Sequence, residues 1–405
     1  MNPPSFMLIA GETSGDMLGA ELVQALRQEF AQAKPIFTAD NLPLRNNLAP
    51  RFFGAGGPRM AAAGVELAFD MTAHSVVGLT EVLANYFKFR RLFYQLYRLA
   101  LERQPDAIIC IDFSGFNRRF AHSIHNFVRP RSDWFHDWAP KLIQYVSPQV
   151  WASRASRAYQ MAHDYDLLLS IFPFEKEWYA KRVPGFNVEF VGHPMVDRHR
   201  AEIGGRLEKA TTDPARPPTL LLLPGSRVHE IKRHMPVMIR ALALIRASLQ
   251  QMRALVVLPN DELVRQVKAF DLPANLEVRT GGLRESMAES DVAIASTGTV
   301  TMECALFGVP TVALYKTSWS TYQLARCIVK VNYLAMPNLL AKGPVFPEFI
   351  QDAATPENLS RAALDLLNDE ARRRRIKTRL AQIVASLGGR GANQRAAKAI
   401  IRLLE

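Results

Sequence analysis

Short apolar runs, each closed by glycine, serine or asparagine and followed by a helical pattern, recur at residues 6–10, 107–111, 141–146, 220–223, 255–258, 292–295 and 311–314. Runs that are apolar throughout mark strands buried on both faces, as in parallel sheets, and the strand, loop, helix rhythm predicts βαβ units. Between the two groups, residues 201–218 lose all periodicity and gather Gly204-Gly205, Thr211-Thr212, Pro214, Pro217 and Pro218. The linker is placed there. It separates a first domain at 1–200 from a second at 219–405, whose basic C-terminal helices are free to pack back on the first. Two α/β, Rossmann-like parallel-sheet domains facing across a cleft suit 405 residues, and the active site is then expected between them. No apolar run approaches the ~20 residues of a membrane-spanning helix. The first ten residues lack a basic leader and read as a first strand, so the chain is expected to stay in the cytoplasm.

Composition sharpens this only in part. With 48% apolar and 22% charged residues the chain reads as a globular protein of two or three domains. Fifty basic against 38 acidic side chains leave a net charge of +12, which favours nucleotides, polyanions or anionic membrane surfaces. Much of the surplus lies in residues 361–405, where Arg372-Arg373-Arg374-Arg375 with Lys377 and Arg379 reads as a solvated helix face. Cys110, Cys304 and Cys327 are far apart, which excludes a disulfide framework and a zinc knuckle and points to a reducing compartment.

Four strand ends carry candidate chemistry. Leu221-Leu222-Leu223-Pro224-Gly225-Ser226-Arg227 delivers a strand into a tight turn and a helix N-terminus. Free amides and the helix dipole there attract anions, and Arg227 adds a guanidinium for bidentate phosphate contact. The plain alternative is a βα turn whose arginine pairs with Glu230. After residues 292–295, Ser296-Thr297-Gly298-Thr299 opens a second helix, where hydroxyls and amides can cap the helix or hold phosphate. Glu303, one turn on and among apolar neighbours, can accept hydrogen bonds from two ribose hydroxyls. Asp112, after the run at 107–111, is a general-base candidate, with an N-cap as its structural alternative. Gly11-Glu12-Thr13-Ser14-Gly15-Asp16 ends the first strand and is not GxGxxG, so a dinucleotide site is disfavoured.

A fifth segment is different in kind. Val76-Val77-Gly78-Leu79-Thr80-Glu81-Val82-Leu83 precedes Tyr86, Phe89, Phe93 and Tyr97 at helical spacing, with Lys88, Arg90 and Arg91 among them. Core packing and an interfacial or acyl-chain role are both open; Val76, Val77, Leu79, Val82, Leu83, Phe89 and Phe93 form the membrane and acyl candidate set.

Taken together the motifs resemble the lipid A disaccharide synthase family. The resemblance is carried by Ala10-Gly11-Glu12-Thr13-Ser14-Gly15-Asp16 with Leu18-Gly19, Gly54-Ala55-Gly56-Gly57-Pro58-Arg59-Met60, Val77-Gly78-Leu79-Thr80-Glu81-Val82-Leu83 and Tyr145-Val146-Ser147-Pro148-Gln149-Val150-Trp151-Ala152. It continues in Phe172-Pro173-Phe174-Glu175, Val191-Gly192-His193-Pro194, Leu223-Pro224-Gly225-Ser226-Arg227 and Pro337-Asn338-Leu339-Leu340. The resemblance implies glycosyltransferase-B architecture and inverting transfer from UDP-2,3-diacylglucosamine to 2,3-diacylglucosamine 1-phosphate, forming a β(1→6) disaccharide and UDP. By the same resemblance Asp112 and Arg227 match the essential acid and arginine, Ser296, Thr299 and Glu303 the nucleotide motif, and Asn338 the loop beside it. The expected substrate contacts are Gly11, Glu12, Ser14, Gly15, Asp16, Asn117, Ser147, Gly225, Ser226, Ser296, Thr297, Gly298, Thr299, Glu303 and Asn338. Neither metal nor cofactor is expected, UDP-sugar being a substrate. The expected partner surface is the anionic inner membrane, reached from the cytoplasmic side; nucleic acid is not expected, and a homo-oligomer is left open. The chain departs from the family pattern at Gly115, Ser153 and Lys342-Gly343, and residues 36–50 and 129–140 read as insertions. A UDP-sugar epimerase of the same architecture and a non-enzymatic basic membrane-binding protein are the alternatives.

Overall fold

A computed structural model describes residues 3–32, 49–74, 86–128, 137–199 and 216–405. Val76, Val77, Leu79, Val82 and Leu83, most of the segment expected to link the domains, and most of both expected insertions lie outside them. The chain divides into two compact units, Met1–Pro194 with Gly388–Glu405, and Met195–Leu387.

The first unit is a seven-stranded parallel sheet: β1 (Ser5–Ala10), β2 (Arg51–Gly56), β3 (Glu66–Asp70), β4 (Ala107–Ile111), β5 (Lys141–Tyr145), β6 (Leu167–Ser170) and β7 (Val188–Phe190). Its order is β3-β2-β1-β4-β5-β6-β7. The chain first builds outward from β1 on one side and then returns to add β4 on the other. The second unit repeats the plan with six strands, β8 (Thr219–Leu223), β9 (Arg253–Leu258), β10 (Leu276–Thr280), β11 (Val292–Ser296), β12 (Thr311–Tyr315) and β13 (Glu348–Ile350), in the order β10-β9-β8-β11-β12-β13. The strands β4, β8 and β11 are buried along their whole length, as their unbroken apolar sequences require.

Ten helices matter below: α1 (Thr13–Gln32), α2 (Pro58–Ala62), α3 (Tyr86–Arg103), α4 (Ser114–Val128), α5 (Val228–Ser248), α6 (Thr299–Leu306), α7 (Trp319–Ile328), α8 (Met336–Ala341), α9 (Glu370–Ser386) and α10 (Ala392–Leu404). Helix α10 completes the first unit, where the buried Tyr145 hydroxyl donates to Asn393 Oδ1 at 2.8 Å. The basic run on α9 is largely a solvent face: Arg374 pairs with Glu370 at 2.6 Å, while Arg373 turns inward to the carbonyl of Leu366 at 2.7 Å.

Helix α3 corrects one expectation. Phe89 and Phe93 are not an exposed lipid-facing stripe; both pack against the first unit's core. The Phe93 ring lies 5.6 Å from the rings of Phe116 and Phe120 on α4, and Phe89 lies 6.5 Å from Phe113. The helical period puts these two on the side of the buried Leu92 and Leu96, while Phe87 and Tyr94 remain 78% and 51% exposed. Replacing Phe93 by alanine is therefore expected to lower unfolding free energy by about 2–4 kcal/mol. Phe87→Ser should stay within about 0.5 kcal/mol. Urea titrations of both variants read the difference directly.

Candidate functional site

Both sheets leave a crevice where their crossovers diverge, between β1 and β4 in the first unit and between β8 and β11 in the second. Open α/β sheets bind ligands at such places, outside the carboxyl ends of the strands. Register makes the loops adjacent: Ala10 pairs with Ile111, so Gly11 and Asp112 leave the sheet side by side, and Leu223 pairs with Ala295, so Pro224 and Ser296 do the same.

In the first unit the chain turns sharply from β4 into α4. Asp112 and Phe113 take φ of +48° and +43°, a left-handed region that costs a residue with a Cβ roughly 1 kcal/mol or more. Just past the end of the neighbouring strand β5, Val146, β-branched and therefore worse suited, has φ +69°. Two buried amides hold this geometry. Asn117 Nδ2 donates to the carbonyl of Asp112 at 3.0 Å and approaches those of Ile9 and Ile111 at 3.3 Å; Gln144 Nε2 reaches the carbonyls of Asp112 and Val146 at 3.3 and 3.1 Å. The Phe113 ring lies over Gly11, where a Cβ would meet it at 2.3 Å. The turn places Asp112 beside Gly11 at the carboxyl ends of β1 and β4. Burial raises its pKa above the ordinary carboxylate value, and the neighbouring Glu12 charge adds to the rise.

Several of the expected contact residues have partners within the protein. Asp16 is buried and accepts the amides of Gly57, Arg59 and Met60 at 2.8, 3.0 and 2.9 Å, capping α2, whose N-cap residue, Gly57, has no side chain to do so. Gly15 is buried against Ala10 and Ile111. Asn117 is the clamp just described. Ser147 bonds inward, lying 3.2 Å from the Tyr179 hydroxyl and beside Glu175. Glu175 is itself fully buried; desolvation pushes its carboxyl up to about 8, against hydrogen bonds from Trp151 and the amide of Phe172. Asn338 on α8 spends all its hydrogen-bonding capacity within its own loop: Nδ2 donates to the Phe346 carbonyl and Glu348 carboxylate at 2.8 and 2.7 Å, and Oδ1 accepts the amides of Val345 and Phe346 at 2.8 Å each. Ser14 remains exposed at the start of α1.

In the second unit Gly225 has φ +123°, and a Cβ there would meet the Glu230 carboxylate at 2.3 Å. Glu230 accepts the Ser226 amide at 2.9 Å and lies 3.6 Å from the Arg227 guanidinium, so the anion position at the head of α5 holds the chain's own carboxylate. The pairing weighed as the plain alternative is therefore present, with Arg227 still 43% exposed at its side chain. At α6 the capping residue is Gly298, at φ +140°, with no side-chain cap, and Thr301 returns its hydroxyl to the Gly298 carbonyl at 2.7 Å. Thr299 and Gly298 are exposed beside the half-buried Thr297 and buried Ser296. Glu303 points into a desolvated place that raises its pKa, with Arg198 acting in the opposite direction.

Sequence reasoning missed three things. His234, an imidazole on the apolar face of α5, bonds the Pro224 carbonyl at 2.6 Å through Nδ1 and accepts the Lys316 amide at 3.0 Å through Nε2. This assigns the neutral Nδ1–H tautomer and ties the Pro224 turn to the end of β12. Gln144 was missed because glutamine within an apolar strand carries no pattern. His122 and His163 both place Nδ1 2.9 Å from Asp164 Oδ1, a gathering across helices that spacing alone cannot show.

The family model for lipid-A-disaccharide synthetase matches residues 6–402. The chain belongs to that family. It is 34% identical to the lipid-A-disaccharide synthase of Trichlorobacter lovleyi over 100% of this chain and 98% of that one. Among solved structures, the glycotransferase of kitacinnamycin superposes with a TM-score of 0.62 at 18% identity, covering 100% of both chains. The UDP-GlcNAc 2-epimerase of Neisseria meningitidis bound to UDP-GlcNAc gives 0.54 at 10%, covering 99% of both. These neighbours share the glycosyltransferase-B fold, which transferases and epimerases have in common; family membership makes this lipid-A-disaccharide synthetase chain a glycosyltransferase of lipid A biosynthesis. Among the described residues no helix is long and apolar enough to cross a membrane.

Two expectations follow for this synthetase. Asp16→Ala leaves three amides without their charged acceptor and should cost about 3 kcal/mol or more, read as a lower urea midpoint. Burial holds His234 below its ordinary value of 6.5, so the unfolded chain binds a proton that the folded one refuses. Stability is present in full above 6.5 and falls as pH drops below it, and the wild-type minus His234→Leu difference in unfolding free energy should carry that slope.

Proposed function

We propose that the enzyme transfers 2,3-diacylglucosamine from its UDP ester to 2,3-diacylglucosamine 1-phosphate with inversion, Asp112 being the general base. The observation that carries this reading is the Asp112 turn, a desolvated carboxylate lifted from the end of a central strand by two consecutive left-handed residues. Such strain persists where function maintains it. Asp112 takes the proton of the acceptor 6-hydroxyl as that oxygen attacks C1 of the donor, and the C1–O bond to UDP breaks on the opposite face. Arg227 and the amides heading α5 receive the charge developing on the diphosphate, with Glu230 displaced from them. Glu303 accepts the ribose hydroxyls, and the exposed amides at Gly298 and Thr299 stand beside the same crevice. The reading calls on no metal or cofactor. It places the enzyme peripherally on the cytoplasmic face of the inner membrane, where its +12 charge meets anionic headgroups.

Incubation with UDP-diacylglucosamine, with and without the acceptor phosphate, tests it: UDP release must depend on the acceptor, whereas an epimerase releases none to it. Asp112→Asn is expected to lower kcat by about 10²–10⁴ while leaving UDP affinity within about twofold. A base must be ionised, so activity falls as pH drops through the raised Asp112 pKa. Glu12→Gln removes a like charge and should move that acid limb to lower pH. An unmoved limb, or near-normal turnover in Asp112→Asn, rejects the assignment.

A further inference from the structure

We propose that α7 is the seat of an acyl chain of the sugar-nucleotide donor, Trp319 and Leu324 being its apolar contacts. The inference rests on the reading of the second unit as the donor-binding half. The strand end that leads into α7 is bound to both nucleotide-site loops: the Lys316 amide reaches Pro224 through His234, and the Thr297 amide donates to the Leu314 carbonyl at 3.0 Å. The root of the helix is fixed from the other side as well. Lys316 Nζ donates to the Gln351 carbonyl at 2.8 Å, the Thr317 amide donates to Gln351 Oε1 at 2.8 Å, and Gln351 Nε2 returns to the Thr317 carbonyl at 3.0 Å.

From this rigid root emerges a helix of ten residues with no buried side chain. A helix so short is marginal in water and ordinarily depends on packing. Trp319 is nevertheless 72% exposed and Leu324 52% exposed. Residues 316–332 contain no acidic residue, and beyond Lys316, whose ammonium is held at the helix root, Arg326 and Lys330 are exposed. An apolar, cationic surface beside a diphosphate site suits an anionic amphiphile. Continuity with the two loops favours the donor, whose acylated sugar is attached to that diphosphate, over a bilayer lipid.

The test titrates the full-length protein with UDP, with UDP-glucosamine and with UDP-diacylglucosamine below its critical micelle concentration. Wild type should bind the acylated donor at least about tenfold more tightly than the unacylated one. Trp319→Ser with Leu324→Ser should lose about tenfold or more for the acylated donor alone, a loss of the size expected when large apolar contacts are withdrawn. UDP affinity should stay within about twofold, and Trp319→Phe should preserve donor binding. If the double substitution lowers the melting temperature, Trp319→Ser alone decides by the same acylated-to-unacylated ratio. An unchanged ratio overturns the proposal, as does an equal loss for UDP. Weaker binding to phosphatidylglycerol vesicles with donor affinity retained also overturns it and assigns α7 to the bilayer. Absence of UDP binding to wild type would instead overturn the donor-site reading.

Discussion

Parallel strands cannot be joined by tight turns. Each must be carried back over a face of the sheet by a crossover, and where successive crossovers run to opposite sides the carboxyl ends of two neighbouring strands are left uncovered. In this chain that constraint acts twice, at β1 and β4 and again at β8 and β11. The pairing of Ala10 with Ile111 and of Leu223 with Ala295 sets the loops level. Asp112, Glu12, Arg227 and the Ser296–Thr299 loop stand on these four strand ends, so topology decides where the chemistry is before any side chain is considered.

A crevice made this way is only as exact as the loops that leave it. The Asp112 turn combines unfavourable backbone angles with a carboxyl that burial and Glu12 both hold toward its neutral form. Neither feature stabilises the fold; buried hydrogen bonds offset them. Asn117 and Gln144 bind the carbonyls of the turn, and the Phe113 ring closes over Gly11 into the aromatic cluster that includes Phe89, Phe93 and Phe116. The aromatic stripe of α3 thus contributes to holding the Asp112 turn in place. At Gly115 a Cβ would meet nothing within 4 Å, so the absence of a second carboxylate there reflects no shortage of room.

How much of this could be read beforehand varies with burial. The central strands were legible because burial on both faces leaves an unbroken apolar run. Strand β3, Glu66–Asp70, alternates as a half-exposed edge, and β2 contains Gly54 and Gly56, so neither gives that signal. The strand-end positions of Asp112, Arg227 and Glu303 were legible because each follows a strong strand by a short interval. Asp16, Asn117, Ser147 and Asn338 have internal partners that the sequence did not disclose, for one physical reason. A short polar side chain beside a site can equally serve a backbone group elsewhere in sequence, as Asp16 serves amides more than forty residues away. Only the tertiary structure shows which groups lack a partner of their own. The initial Gly57-Pro58 of α2, which has no capping side chain, was the one available hint.

The head of α5 shows the same accounting at a ligand site. The first-turn amides of a helix need acceptors whether or not a ligand is present. Here Glu230, in the first turn, supplies a carboxylate to the amide of Ser226 just ahead of the helix and a partner for Arg227 at the N-cap. Gly225 makes this possible, since any side chain at φ +123° would collide with that carboxylate. The internal anion holds the loop in shape, and a diphosphate, with more charge and more acceptor oxygens than one carboxylate, would compete for the same groups. The glycine, the glutamate and the arginine therefore form one device. The Arg227–Glu230 pair is the structural turn that the sequence allowed; it does not exclude an anion site, because a diphosphate would compete for the same guanidinium and amide.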